Sequence, residues 1–188
     1  MIIIGGSLLF VIILIIVLAS VNKPAAVKTV VVQKPSLIKY EDSTSSVSFT
    51  TYGGLVADSQ RTTISITISA ANVNSSVFNG YQETLVNSEN FANNQTAYNY
   101  FLNNLDSQGF LVSKKTKLSE SSACPNGETY QVTLTDNSKV ISSLWDDSCN
   151  TGVDGTFYGN GQQNITAIQT LFQNQISNYS FFVSTYTL

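Results

Sequence analysis

Hydrophobic and polar positions alternate most regularly in "RTTISITISA" at 61–70, where Ile64, Ile66 and Ile68 face one way and Thr63, Ser65 and Thr67 the other. That period of two predicts a β-strand with one buried and one wet face, the signature of an antiparallel sheet. "VSFTTYGGL" before it reads as a short strand ending in a Gly-Gly break. The period then changes. In "NQTAYNYFLNNLDSQ" at 94–108, Ala97, Tyr98, Phe101, Leu102 and Leu105 fall on one helical face, with Gly109 placed to close the helix. "FLVSKK" predicts a third strand. "ETYQVTLTD" and "KVISSLW", joined by the turn-rich "DNSK", predict a hairpin. "QQNITAIQTLFQNQI" predicts a second amphipathic helix with Ile165, Ile168, Leu171, Phe172 and Ile176 as its stripe and Asn160 or Asn164 as cap. "YSFFVSTYTL" alternates like a last strand. The order β-β-α-β-β-β-α-β predicts an α+β domain, a mostly antiparallel sheet with two helices packed on one face.

The first 21 residues, "MIIIGGSLLFVIILIIVLASV", follow neither period and carry no charge. About 20 apolar residues in a helix cross the roughly 30 Å hydrocarbon core of a bilayer. Residues 1–21 are therefore expected to be a transmembrane anchor, in contact with the membrane through residues 2–21. "VLA" followed by Ser20 also suits a cleaved signal segment, although no basic leader precedes the apolar run. Residues 22–45 hold two of the three prolines and four lysines and read as an extended stalk, leaving 46–188 as the domain. Those lysines alone would favour the cytoplasm, but long domains translocate largely regardless of flanking charge.

The only cysteines, Cys124 and Cys149, flank the predicted hairpin. Residues on either side of a hairpin return to the same end of it, so the two are expected to meet in a disulfide. A bridge closing about 25 residues stabilises by about 3.5 kcal/mol on a chain-entropy account. Disulfides persist outside the reducing cytosol. The expected location is a cell membrane crossed once, with 46–188 extracytoplasmic.

Composition supports that location and removes several chemistries. Charged residues make up 11% of the chain, against about 25% in ordinary domains. Residues 45–188 carry five basic and ten acidic side chains, a balance that repels phosphate backbones, so no nucleic-acid partner is expected. The one basic cluster, "KKTK" at 114–117, reads as the solvated end of a strand. With no histidine in the chain, Ser-His-Asp, Cys-His and zincin arrangements are impossible. No cofactor is implied, and the domain is expected not to be an enzyme.

Three fainter signals have ordinary explanations beside the functional ones. Ser36-Leu37-Ile38-Lys39 matches the S-x-x-K of serine acyltransferases but lies in the stalk without companion motifs. Asp146, Asp147, Asn150 and Asp154 could gather oxygens around calcium, or supply carboxylates to a hydrolase, yet their spacing fits no EF-hand. Asn74, Asn94, Asn164 and Asn178 begin glycosylation sequons, which an Asn-rich chain also produces by composition.

Taken together, "TTYGGLVADSQRTTISITIS", "LDSQGF", "YQVTLTDNSKVISSLWDD" and "ITAIQTLFQNQI" resemble the layout of emfourin-type proteins over about residues 47–176. That family consists of small protein inhibitors of thermolysin-like metallopeptidases such as protealysin. Its layout has a Gly-Gly-containing first hairpin, a helix before Gly-Phe, a Tyr-led hairpin and a closing helix. Gly53, Gly54, Gly109 and Tyr130 sit on matching positions. The anchor, the stalk, both cysteines and a longer segment before the last helix are departures. The apolar N-terminus, the Gly6-Ser7 junction and the late cysteine pair also resemble type IV pilins, but Ser7 to Val11 lack the expected Glu and Pro24 would end the long pilin helix. The resulting expectation is a membrane-anchored, non-enzymatic domain with a structural or protein-binding role toward an unknown protein partner. Peptidase inhibition is one version of it. A pilin-like filament subunit and a carboxylate-based hydrolase are the alternatives.

Overall fold

In the computed structural model the chain divides after Lys34, and the residues described are 36–184 except 42–43, 152 and 160–162. The expected anchor at 1–21 and most of the stalk lie outside them. Among the described residues no helix is long and apolar enough to cross a membrane.

Six antiparallel strands form one sheet in the order β4-β3-β2-β1-β5-β6. They are β1 (Ser45–Tyr52), β2 (Thr62–Ser69), β3 (Asn72–Asn79), β4 (Thr84–Ala92), β5 (Thr129–Asp136) and β6 (Lys139–Asp147). Helix α1 (Gln95–Ser107) follows the four-stranded meander, and the chain returns to place β5 beside β1. A four-residue helix α2 (Glu120–Ala123) precedes β5, while α3 (Ile165–Gln173) and α4 (Tyr179–Ser184) close the chain.

Period-two patterning explains which face is covered. Val47 lies between Ile68 and Leu134, and Phe49 between Ile66 and Val132. All six are buried against Tyr98, Phe101, Leu102 and Leu105 of α1 and Ile165, Ile168 and Phe172 of α3. Phe172 joins the layers: its ring lies 5.3 Å from Phe49 and meets Phe101 edge-on at 5.0 Å. The opposite face has almost no charge. Thr67, Ser48 and Thr133 form one cross-strand row, and Ser65, Thr50 and Gln131 another. Neighbouring hydroxyls bond to each other there, as Thr50 does to Ser65 and Thr133 to Ser143.

Three local expectations change. Strands β3 and β4 are additional to the predicted order. "FLVSKK" is no sheet strand: Phe110 enters the core, Ser113 makes an isolated bridge to Phe157, and β5 occupies the place beside β1. "YSFFVSTYTL" contains helix α4 and buries Phe182; residues 185–188 lie outside those described. The packed domain also starts before residue 46. Leu37 is fully buried in a 3-10 turn at Leu37–Tyr40, and its amide donates to Asp106 Oδ1 on α1 over 3.1 Å.

Candidate functional site: a cleft at the disulfide end of the sheet

Antiparallel pairing brings five chain segments to one end of the sheet. Tyr52 ends β1 opposite Thr129, the first residue of β5; Asp147 ends β6 opposite the same Thr129; and Thr62 begins β2 opposite Asn79. Cys124 and Cys149 meet there in a disulfide, with Cα atoms 5.5 Å apart, the ordinary spacing for a bridge. The hairpin between them turns through Asn137 and Ser138, both at positive φ, as a two-residue type I′ loop requires.

A cleft of about 500 Å³ opens at this end on the wet face. Tyr52, Thr129 and Gln131 form its floor, Gly53 to Leu55 and Arg61 one wall, and Ser119, Glu120, Cys124 and Pro125 the other. The Gly-Gly break has a steric cause: a Cβ on Gly54 would stand 2.9 Å from the Gly127 carbonyl oxygen and 3.1 Å from that of Pro125. Only bare backbone lets the two walls meet so closely. The loop is fixed at its far side too. Asp58 Oδ1 accepts the Tyr81 amide at 2.7 Å, the Tyr81 hydroxyl donates to the Val56 carbonyl at 2.9 Å, and the Arg61 guanidinium lies 4.4 Å over the Tyr81 ring.

Polar groups run across the floor as a chain. The Tyr52 hydroxyl donates to Gln131 Oε1 and Gln131 Nε2 donates to Glu120 Oε2, each over 3.3 Å. Burial pushes the Glu120 carboxyl above its usual pKa, with the Gln131 hydrogen bond pulling partly back. Burial also raises Tyr52, which the Glu120 and Glu83 charges raise further and Arg61 lowers, so its phenol stays a donor. Arg61 Nε is buried and meets no acceptor among the described residues. The cleft therefore presents a cation and an anion that do not satisfy each other, on a frame held by covalent and backbone bonds. That arrangement offers a charge of each sign to a bound group.

The other sequence candidates have structural work. Ser36 caps the 3-10 turn by accepting the Ile38 amide, and its hydroxyl donates to Asp106. Asp147 Oδ1 accepts the amides of Cys149 and Asn150, both at 2.9 Å, and so shapes the loop after β6. Asp146 and Asp147, consecutive on a strand, point to opposite faces. Asn150 spends its amide on Asp154. Among the described residues the one group of three metal-capable side chains is Cys124, Asp147 and Cys149, whose sulfurs are already bonded to each other. Asn94 caps α1 through the Ala97 amide, and Asn74 bonds Ser88 across the wet face. Tyr130 stands on the helix side near Phe49; burial, then the Glu128 charge, lifts its phenol above the ordinary tyrosine range.

Sequence reasoning found the disulfide and the glycine pair but neither Arg61 nor Glu120. Each is an isolated charge in a polar stretch, and only the topology brings them to one cleft. Comparison with known protein families, with curated proteins and with solved structures finds no match for the chain.

Proposed function

We propose that the chain is a membrane-anchored, extracytoplasmic, non-enzymatic domain that binds a partner protein through the cleft. The observation that carries this reading is the cleft itself, with Arg61 and Glu120 unmatched on a rim tied by the Cys124–Cys149 bridge. A bridge of this kind suits an oxidising compartment. Leu55 lines the cleft and stands exposed, and the exposed Val56 follows it with its carbonyl bonded to the Tyr81 hydroxyl, so apolar side chains flank a polar centre in a way that fits a protein surface. The test is a photo-crosslinking residue at Leu55 on intact cells, with Tyr100 on the exposed side of α1 as control. A discrete adduct formed from Leu55, absent from Tyr100 and lost on Arg61→Ala/Glu120→Ala, supports the reading. Equal labelling from both positions, or none from Leu55, overturns it.

Peptidase inhibition is the more specific version, supported by the emfourin-like layout and by Gly53 and Gly54 lying on the cleft wall. Purified full chain titrated against a thermolysin-like peptidase should inhibit stoichiometrically. Unchanged activity at micromolar excess removes this version and leaves the broader one standing.

A further inference from the structure

We infer that the cleft takes a dipolar peptide segment, an acidic group toward Arg61 and a basic group toward Glu120; this rests on the protein-binding reading above. The two charges line one cleft, yet among the described residues the side chain bonded to Glu120 is that of Gln131, an uncharged amide at 3.3 Å. The Arg61 guanidinium lies against a ring face, 4.4 Å over Tyr81. A ligand of one sign would satisfy one wall and strip water from the other charge without replacing it, and a neutral ligand would do so to both. Only a ligand carrying both signs in the matching order meets both walls.

Size and chemistry point to a peptide. A volume of about 500 Å³ exceeds what one small ion needs and lies within the range of pockets that enclose extended organic ligands. Thr129 and Gln131 on the floor offer hydroxyl and amide groups that suit peptide N–H and C=O. Pro125, Leu55 and the Cys124 side of the bridge give apolar contact along the wall for its carbon atoms.

The experiment uses purified full chain in detergent micelles and end-capped tetrapeptides. Acetyl-Asp-Gly-Gly-Lys-amide and acetyl-Lys-Gly-Gly-Asp-amide are titrated calorimetrically beside Asp/Asp, Lys/Lys and Asn/Gln analogues. One dipolar order should bind at least about tenfold tighter than the single-sign and neutral peptides, about 1.4 kcal/mol. Arg61→Gln should remove the preference for the acidic residue and Glu120→Gln that for the basic one. Arg61→Lys, which keeps the charge, should retain most of the former, and matching melting temperatures exclude a folding defect. Neutral or single-sign peptides binding as tightly as the dipolar ones would overturn the inference. So would no binding by any peptide below about 1 mM. In either case the Leu55 adduct decides separately: if it persists, protein binding at the cleft stands with another ligand chemistry, and if it too is absent, both readings fall.

Discussion

The Leu55 amide donates to the Pro125 carbonyl over 2.7 Å, so main chain joins the two walls of the cleft one residue away from the bridged Cys124. Whatever holds Cys124 in place therefore holds the glycine loop as well. Replacing both cysteines, Cys124→Ser with Cys149→Ser, should lower unfolding free energy by about 3.5 kcal/mol on the chain-entropy account. Equilibrium urea unfolding measures it. Far-ultraviolet circular dichroism should keep the native sheet signal, because the core between sheet and helices does not include the bridge. A loss under about 1 kcal/mol would mean that the unfolded chain is already constrained at this point.

Gly127 is where that bridge leaves no room. A Cβ built there lies 2.4 Å from both Cys124 Sγ and Ser148 Oγ. Gly127→Ala should destabilise by roughly 1–3 kcal/mol, as overpacking does. In the double-serine background the cost should shrink, since the two sites share one space and their effects are not additive. Thermal melts of the four proteins form the cycle, and strict additivity would show that the clash is relieved elsewhere.

The hairpin turn carries a different strain. Ser138 sits at φ 62° with Asn137 at φ 48°, and serine, unlike glycine, bears the steric cost of that region. Ser138→Gly should stabilise by up to about 1 kcal/mol, read as a higher melting temperature. Ser138→Val at the same place should do the reverse.

These predictions rest on features of unequal visibility in the sequence. Strand β2 and helix α1 announce themselves because Ile66 and Ile68, or Tyr98, Phe101, Leu102 and Leu105, repeat at the period of their element and are buried where that period places them. The hairpin and its bridge were legible because one turn fixes where both cysteines return. Strands β3 and β4 were not. "NVNSSVFN" shows only Val73 and Val77 in step, among Asn and Ser that ordinarily mark turns. Their pairing is set by β2, a tertiary neighbour, and not by their own pattern. Helix α4 reads as a strand in the sequence because "YSFFVSTY" satisfies a short alternation and a helical face equally well. The cleft was invisible for a further reason: Arg61 and Glu120 are 59 positions apart, and no local rule brings them together.

Strand β3 also leaves a fault that a substitution can expose. Ser75 is fully buried on the helix side between Ile66 and Glu89, and its hydroxyl has no hydrogen-bond partner among the described residues. A buried hydroxyl left unmatched costs about 1–3 kcal/mol. Ser75→Ala removes the group while keeping the strand, so the variant should melt at the same or a higher temperature. A clear drop would show that the hydroxyl is bonded in solution.

Glu120 also makes the stability of the fold depend on pH. Burial holds this carboxyl above its ordinary value of 4.5 in the folded chain. The folded state therefore binds the proton more tightly than the unfolded state does. Its contribution to stability is fully present below 4.5 and is lost as pH rises through the raised pKa. Glu120→Gln has nothing to titrate at that position and can keep a hydrogen bond to Gln131 by an amide flip. The variant should thus gain on the wild type as pH climbs from 4 toward 7, with the difference levelling once Glu120 is ionised. Urea unfolding of both proteins across that interval isolates the group from the other carboxylates they share. A cationic ligand group beside Glu120 favours the ionised form, so binding of the dipolar peptide should strengthen over the same interval. A flat difference in stability, or one that favours the wild type as pH rises, would show that the carboxyl is well solvated and that the Glu120 wall of the cleft is not the desolvated surface from which its recognition is argued.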